Sequence, residues 1–234
     1  MQIGAFFDID KTVLEVNSGT KWVGYQWRHR KMTPLQVGRA LTWLVQYRFG
    51  LLDFDAMAAR ILASYAGREV DPIAREVERW FHAEVAGEIC QEAREQIEHH
   101  RSHGHVVALL TSATRFLSQP VATILEVPHV LCTEVEIEDG VITGRTIEPA
   151  CYGPGKVVRA EAFAAAHGID LDRSYFYTDS YSDLPMLERV GEPRVVNPDP
   201  RLRRTATTRG WGYQTWRALR REGRGAEHVG SESG

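Results

Sequence analysis

The sequence predicts an α/β protein, with a parallel sheet buried between helices and a helical segment inserted after the first strand. Three observations carry that expectation. Three short runs, Ile3–Phe7, Val106–Leu110 and Tyr175–Thr178, have strand length and a continuous apolar or aromatic pattern, as strands buried on both faces do. Helix-patterned chain lies between them. Each run ends in small polar or acidic residues, at the carboxyl ends where open α/β sheets form their ligand crevices.

The first strand leads directly into Asp8, Asp10 and Thr12. Two carboxylates at the end of a buried strand are costly unless they are paired or bound to metal. This marks a metal and phosphate site, or a solvated turn in which Asp8 or Asp10 caps a helix. Residues 18–66 follow as helical, aromatic-rich chain with Trp22, Tyr25, Trp27, Trp43, Tyr47 and Phe49, residues suited to packing between helices. Thr33-Pro34 opens one helix, which continues through Leu35, Val37, Leu41, Leu44 and Val45 and can stop at Gly50. A further helix fits Phe54 to Tyr65. Another opens at Asp71-Pro72 and runs through Val77, Trp80 and Phe81. The basic run Arg28 to Lys31 reads as a solvated face, or as a grip on an anion.

A charged helix over Glu88–His103 closes at Gly104. The strand Val106–Leu110 ends in Thr111-Ser112-Ala113-Thr114, whose hydroxyls can serve an anion or cap the next helix. Residues 130–147 form a hairpin that turns at Asp139-Gly140. Cys151 to Lys156 is a turn into the helix Val157–His167. Lys156 stands there against the helix dipole, which signals a bound anion or a solvated side chain. Tyr175–Thr178 runs into Asp179-Ser-Tyr-Ser-Asp183. The last strand, Arg194–Val196, precedes an Arg/Gly/Ser/Glu-rich tail with the composition of disorder.

The chain of 234 residues is 43% hydrophobic and 25% charged, ordinary for a soluble globular protein. Its net charge of −3 carries no signature of nucleic-acid binding. No apolar stretch is long enough to span a membrane. The first strand starts at once, so no leader is expected, and the three cysteines have neither zinc nor disulfide spacing, so a reducing, cytoplasmic setting is expected.

In this order, Asp8-Ile-Asp-Lys-Thr12, Thr111, Lys156 and Asp179-Ser-Tyr-Ser-Asp183 resemble the four motifs of the haloacid dehalogenase-like phosphatase superfamily. The helical insertion is similar to that of its phosphoserine-phosphatase-like branch. The resemblance covers roughly residues 1–205 and implies a Rossmann-like α/β core, residues 1–14 and 88–217, with a helical cap over 15–87 and a disordered tail over 218–234. It implies a Mg²⁺-dependent phosphomonoesterase acting on a small phosphorylated metabolite. Asp8 would be the nucleophile and Asp10 the acid and base. The metal site would draw on Asp8, Asp10 (through its backbone carbonyl), Asp179 and Asp183. Thr111, Ser112 and Lys156 would hold the phosphoryl group.

Two positions depart from the pattern. Asn17 stands where phosphoserine phosphatases carry a Glu, removing the charged partner of a phosphoserine ammonium. It would face the leaving group, or cap the first cap helix. Lys11 stands where many relatives have Gly, and Arg60 is a candidate cap arginine. The alternatives to the general reading are a phosphoserine or histidinol-phosphate phosphatase proper, a phosphotransferase, or a regulatory protein that binds a phosphorylated partner without turnover. The presence of both Asp8 and Asp10 argues against the last.

Overall fold

The computed structural model describes residues 1–39, 42 and 54–219, with backbone alone for 54–57. Seven strands form one sheet: β1 (Gly4–Phe7), β2 (Val106–Thr114), β3 (His129–Glu138), β4 (Val141–Ile147), β5 (Tyr175–Thr178), β6 (Glu192–Val196) and β7 (Tyr213–Gln214). Their order is β4-β3-β2-β1-β5-β6-β7, with every pair parallel except β3–β4. The central strand β1 is buried along its whole length. Neighbouring residues feed opposite faces: Phe7, Leu109 and Tyr177 pack on one side, Phe6, Ala108, Leu110 and Phe176 on the other. This double burial explains why the strands read as unbroken apolar runs.

The crossover helices are α4 (Gln91–Ser102), α5 (Arg115–Ile124), α6 (Pro154–His167), α7 (Leu184–Arg189) and α8 (Pro200–Arg209). The helical insertion between β1 and α4, in the place of the expected cap and called the cap below, contains α1 (Ser18–Arg28), helical residues 34–39, α2 (Phe54–Ala63) and α3 (Val70–Glu84). Trp80 of α3 is buried edge-on against Trp22 of α1, with ring centroids 5.0 Å apart. Thr33 opens its helix with a reciprocal cap: its Oγ1 accepts from Gln36 N, and Gln36 Oε1 accepts from Thr33 N. Arg28 pairs with Glu84 and Lys31 with Glu76, so these two residues of the basic run bind the neighbouring cap helix. The expected course through Leu41, Trp43, Leu44, Val45, Tyr47 and Phe49 to a stop at Gly50 lies outside the described residues, as does the tail from residue 220.

The hairpin turns at Asp139 (φ 48°) and Gly140 (φ 78°), the left-handed pair of a two-residue type I′ turn. It also props the cap. Ile142 N donates to Arg68 O, Gly67 N to Ile142 O and Val70 N to Gly140 O, while Leu62 packs on Val135 and Ile142.

Several bounds differ from the sequence reading. Strand β2 continues through Thr114, because Thr114 pairs with Thr133 of β3, so Thr111 and Ser112 lie within a strand and cap no helix. Helix α4 begins at Gln91, after a 3₁₀ turn at Ala86–Glu88. Strand β7 was not expected, since both its residues are exposed and show no apolar pattern.

Candidate active site

Strand register builds the site. Phe7 lies opposite Leu109 on one side and Tyr177 on the other. Asp8 therefore comes one residue past that level, and Thr111 and Asp179 come two past it, all at the carboxyl edge of the sheet. Asp8 N donates to Tyr177 O at 2.9 Å, which holds the strand to its end. The chain then turns sharply, with Leu14 N donating back to Ile9 O at 2.8 Å. Lys11 takes a left-handed conformation in this turn (φ 59°), where a glycine would carry no steric cost. Asn197 Nδ2 donates to Lys11 O.

Lys156 lies in the first turn of α6 and is 2% exposed. Its Nζ donates to Asp8 Oδ1 at 2.8 Å and to Asp183 Oδ2 at 2.7 Å. The anions implied by its place at a helix start are thus carboxylates of the chain itself, and the solvated-lysine alternative falls. Close packing puts it there: a Cβ on Gly155 would lie 1.9 Å from Ala150 O. Asp183 Oδ2 also accepts from Thr178 Oγ1 at 2.6 Å. Thr133 Oγ1 accepts from Cys151 N and donates to Ser112 O, tying the lysine's loop to β2. Thr111 is buried, and its Oγ1 accepts from Ala113 N.

Asp10 is held by the entrance to the cap. Its Oδ1 accepts from Ser18 N at 2.8 Å and its Oδ2 from Asn17 Nδ2 at 3.1 Å. Asn17 caps α1 as well, accepting from Thr20 N and Thr20 Oγ1. Capping and facing the site coexist in one side chain. Arg60 is exposed on α2 and is absent from the cavity wall above Asp10.

Burial dominates the electrostatics. It pushes Asp8 up to about 7, with Lys156 pulling down and Asp183 adding repulsion. It raises Asp10 too, against the bonds from Ser18. Asp179 is pushed well above the usual carboxylate range by burial and then by the charges of Asp8 and Asp183. For Lys156, burial acts downward, but Asp183 and Asp8 outweigh it and hold the ammonium protonated.

Among the described residues, no three acidic, His or Cys side chains group closely enough to hold a metal by themselves. Asp8 and Asp179, which repel each other through space, leave an all-oxygen, anionic donor set. That suits a hard cation bound by one or two carboxylates, a carbonyl and water.

Sequence reasoning missed Ser18, Thr178 and Asp199. Asp199 Oδ2 accepts from Tyr181 N, and its Oδ1 caps α8 by accepting from Arg201 N and Leu202 N. The Asp-Pro pair at 199–200 was a legible helix start. Nothing in the sequence pointed to the other two.

A cavity of about 240 Å³ opens above Asp10, Asn17 and Ser112, between the cap helices and the core.

Known proteins resemble this chain in sequence and in fold. A phosphoserine phosphatase of Mycobacterium tuberculosis is 32% identical over 94% of this chain and 73% of its own. A histidinol-phosphatase of Neisseria meningitidis serogroup C is 30% identical over 88% of this chain and 96% of its own. A crystal structure of a protein of unknown function from Bordetella pertussis Tohama I superposes with a TM-score of 0.83 at 30% identity, covering 92% of this chain and 98% of the other. The model of the haloacid dehalogenase-like hydrolases matches residues 5–188, and it is to that family that the chain belongs.

Proposed function

We propose that the chain is a Mg²⁺-dependent phosphomonoester hydrolase acting on a small phosphorylated molecule through an aspartyl-phosphate on Asp8. The observation that carries this reading is the buried Asp8–Lys156–Asp183 chain of ion pairs beside a separately held Asp10. Family membership and the phosphatase names of two relatives support it.

Asp8 Oδ attacks phosphorus, and the bond to the leaving alcohol breaks. Asp10, whose raised pKa favours a carboxylic acid, gives its proton to the departing oxygen. The same carboxylate then takes a proton from water, which attacks phosphorus and restores Asp8. Lys156 supplies positive charge to the transferring phosphoryl oxygens, and Thr111 a hydroxyl donor. Asp183 positions Lys156, with Thr178 holding Asp183 in turn. Asp8, the Asp10 carbonyl and Asp179 would hold Mg²⁺, which when bound neutralises the phosphate charge and keeps Asp8 ionised.

The test is phosphate release from an aryl phosphate. Asp8→Asn should lower it by at least ~10³-fold. EDTA should abolish it and Mg²⁺ restore it, with Asp179→Ala raising the Mg²⁺ requirement. Near-wild-type turnover by a folded Asp8→Asn protein would end the covalent mechanism.

A further inference from the structure

We infer that the alcohol released from phosphate is uncharged and apolar, seated in the cavity between cap and core; this rests on the phosphomonoesterase reading above. The polar end of the cavity is made by Asp10, Asn17 and Ser112. The rest of the wall is mostly apolar, with Trp22, Leu62, Tyr65, Ile73, Phe116 and Ile142 as its large side chains, and its other polar members, Ser18, Thr114 and Thr133, are uncharged. An apolar cavity of roughly 150 Å³ already takes up benzene. At about 240 Å³ this one accommodates a larger group.

Charge argues the same way. Among the described residues, Asp10 is the only Asp, Glu, Lys or Arg in the wall. Among the described residues, three cap cations are engaged away from the wall: Lys21 with Glu88, Arg28 with Glu84 and Lys31 with Glu76. Arg60 is exposed. An amino-acid leaving group would lose the hydration of its ammonium and carboxylate; among the described wall residues the carboxylate would find no cation, and the ammonium only Asp10, the acid of the reaction. Asn17 is neutral, and its side chain is taken up by Asp10 and Thr20.

The experiment measures kcat/KM with Mg²⁺ for ethyl, butyl, hexyl and benzyl phosphate and for phosphoserine. These alkyl esters have similar leaving groups, so the series reads burial. The expected rise is about fourfold per methylene, or about 10²-fold from ethyl to hexyl. Phosphoserine should fall below ethyl phosphate. Benzyl against hexyl phosphate distinguishes a ring from a chain, and either one exceeding ethyl supports the inference. Ala58→Phe and, separately, Val23→Phe fill the wall from two helices and should lower the hexyl-to-ethyl ratio at least ~10-fold. Hexylphosphonate should inhibit the wild-type protein about 10²-fold more tightly than ethylphosphonate, a reading that needs no variant.

A flat alkyl series, or a preference for phosphoserine, with phosphate still released overturns the apolar seat and leaves the phosphatase reading standing. No release from any ester removes both.

Discussion

Replacing Lys156 by Met keeps most of the apolar stem of the side chain and removes the ammonium, with its charge and its two hydrogen bonds. Two buried carboxylates, Asp8 and Asp183, then lose their shared ammonium. Each charge-assisted hydrogen bond contributes roughly 1.5–3 kcal/mol, and breaking a buried pair from one side costs about 3–5 kcal/mol. A loss of about 3–5 kcal/mol at about pH 8 is therefore expected. Protonation limits the loss. Asp8 is already raised to about 7 beside Lys156, and without the cation its pKa must climb further.

A carboxyl whose folded pKa exceeds its unfolded value destabilises the fold while ionised, and that penalty recedes as pH falls through the folded pKa. The gap between wild type and K156M should thus shrink by roughly 1–2 kcal/mol between about pH 8 and about pH 5.5. The assay is urea unfolding across that range with EDTA present, comparing midpoints at constant m. Adding Asp183→Asn to K156M should recover part of the loss, because one of the two facing carboxylates is gone. A gap below about 1 kcal/mol at about pH 8, or one that stays constant with pH, would refute the reasoning.

Two further outcomes are expected. His100 is buried against Tyr177 and His105, with His99, His103 and Arg194 contributing like charge, and its pKa is lowered to about 4 from 6.5. A lowered histidine pKa means stability is full above the unfolded value and lost as pH falls towards the folded one. Unfolding between about pH 6.5 and 4 should therefore cost wild type about 3 kcal/mol that His100→Phe does not lose, and equal slopes in the two proteins would contradict this. Asn17→Asp keeps the acceptor that caps α1 but replaces the donor to Asp10 with a charge. The alkaline limb of the kcat profile should move upward by about one unit with little change in Tm, and an unmoved profile would show that Asn17 does not act on Asp10.

Local chemistry made much of the fold legible. The runs ending at Phe7, Leu110 and Thr178 could be read as buried strands because both of their faces are covered. Asp8, Asp10 and Lys156 stood out because each breaks a local rule: charge after a buried strand, or a cation at a helix start. The extension of β2 through Thr114 was hidden, because Thr-Ser-Ala-Thr becomes strand only by pairing with β3. Ser18 and Thr178 were hidden for a related reason. What they do depends on where Asp10 and Asp183 arrive in space, and no sequence period encodes that. The apolar wall above Asp10 draws Trp22, Leu62, Phe116 and Ile142 from four separate elements, each of which reads alone as ordinary core.

The chain enters and leaves the cap through one narrow neck. Cys90 N donates to Val13 O, Glu15 N donates to Glu88 O, and Leu14 bridges Ile89. Gly4 pairs with Val106, about a hundred residues on, so β1–β2 pairing is a long-range event in a search through chain entropy. Closing the neck first would shorten the effective loop roughly fourfold and lower the entropic barrier to that pairing by about 1.2 kcal/mol. The same logarithm governs cap size. Doubling the excursion beyond the neck would cost only about 0.6 kcal/mol, so the cap can grow, shrink or be rebuilt around a new leaving group while the central strands still find each other.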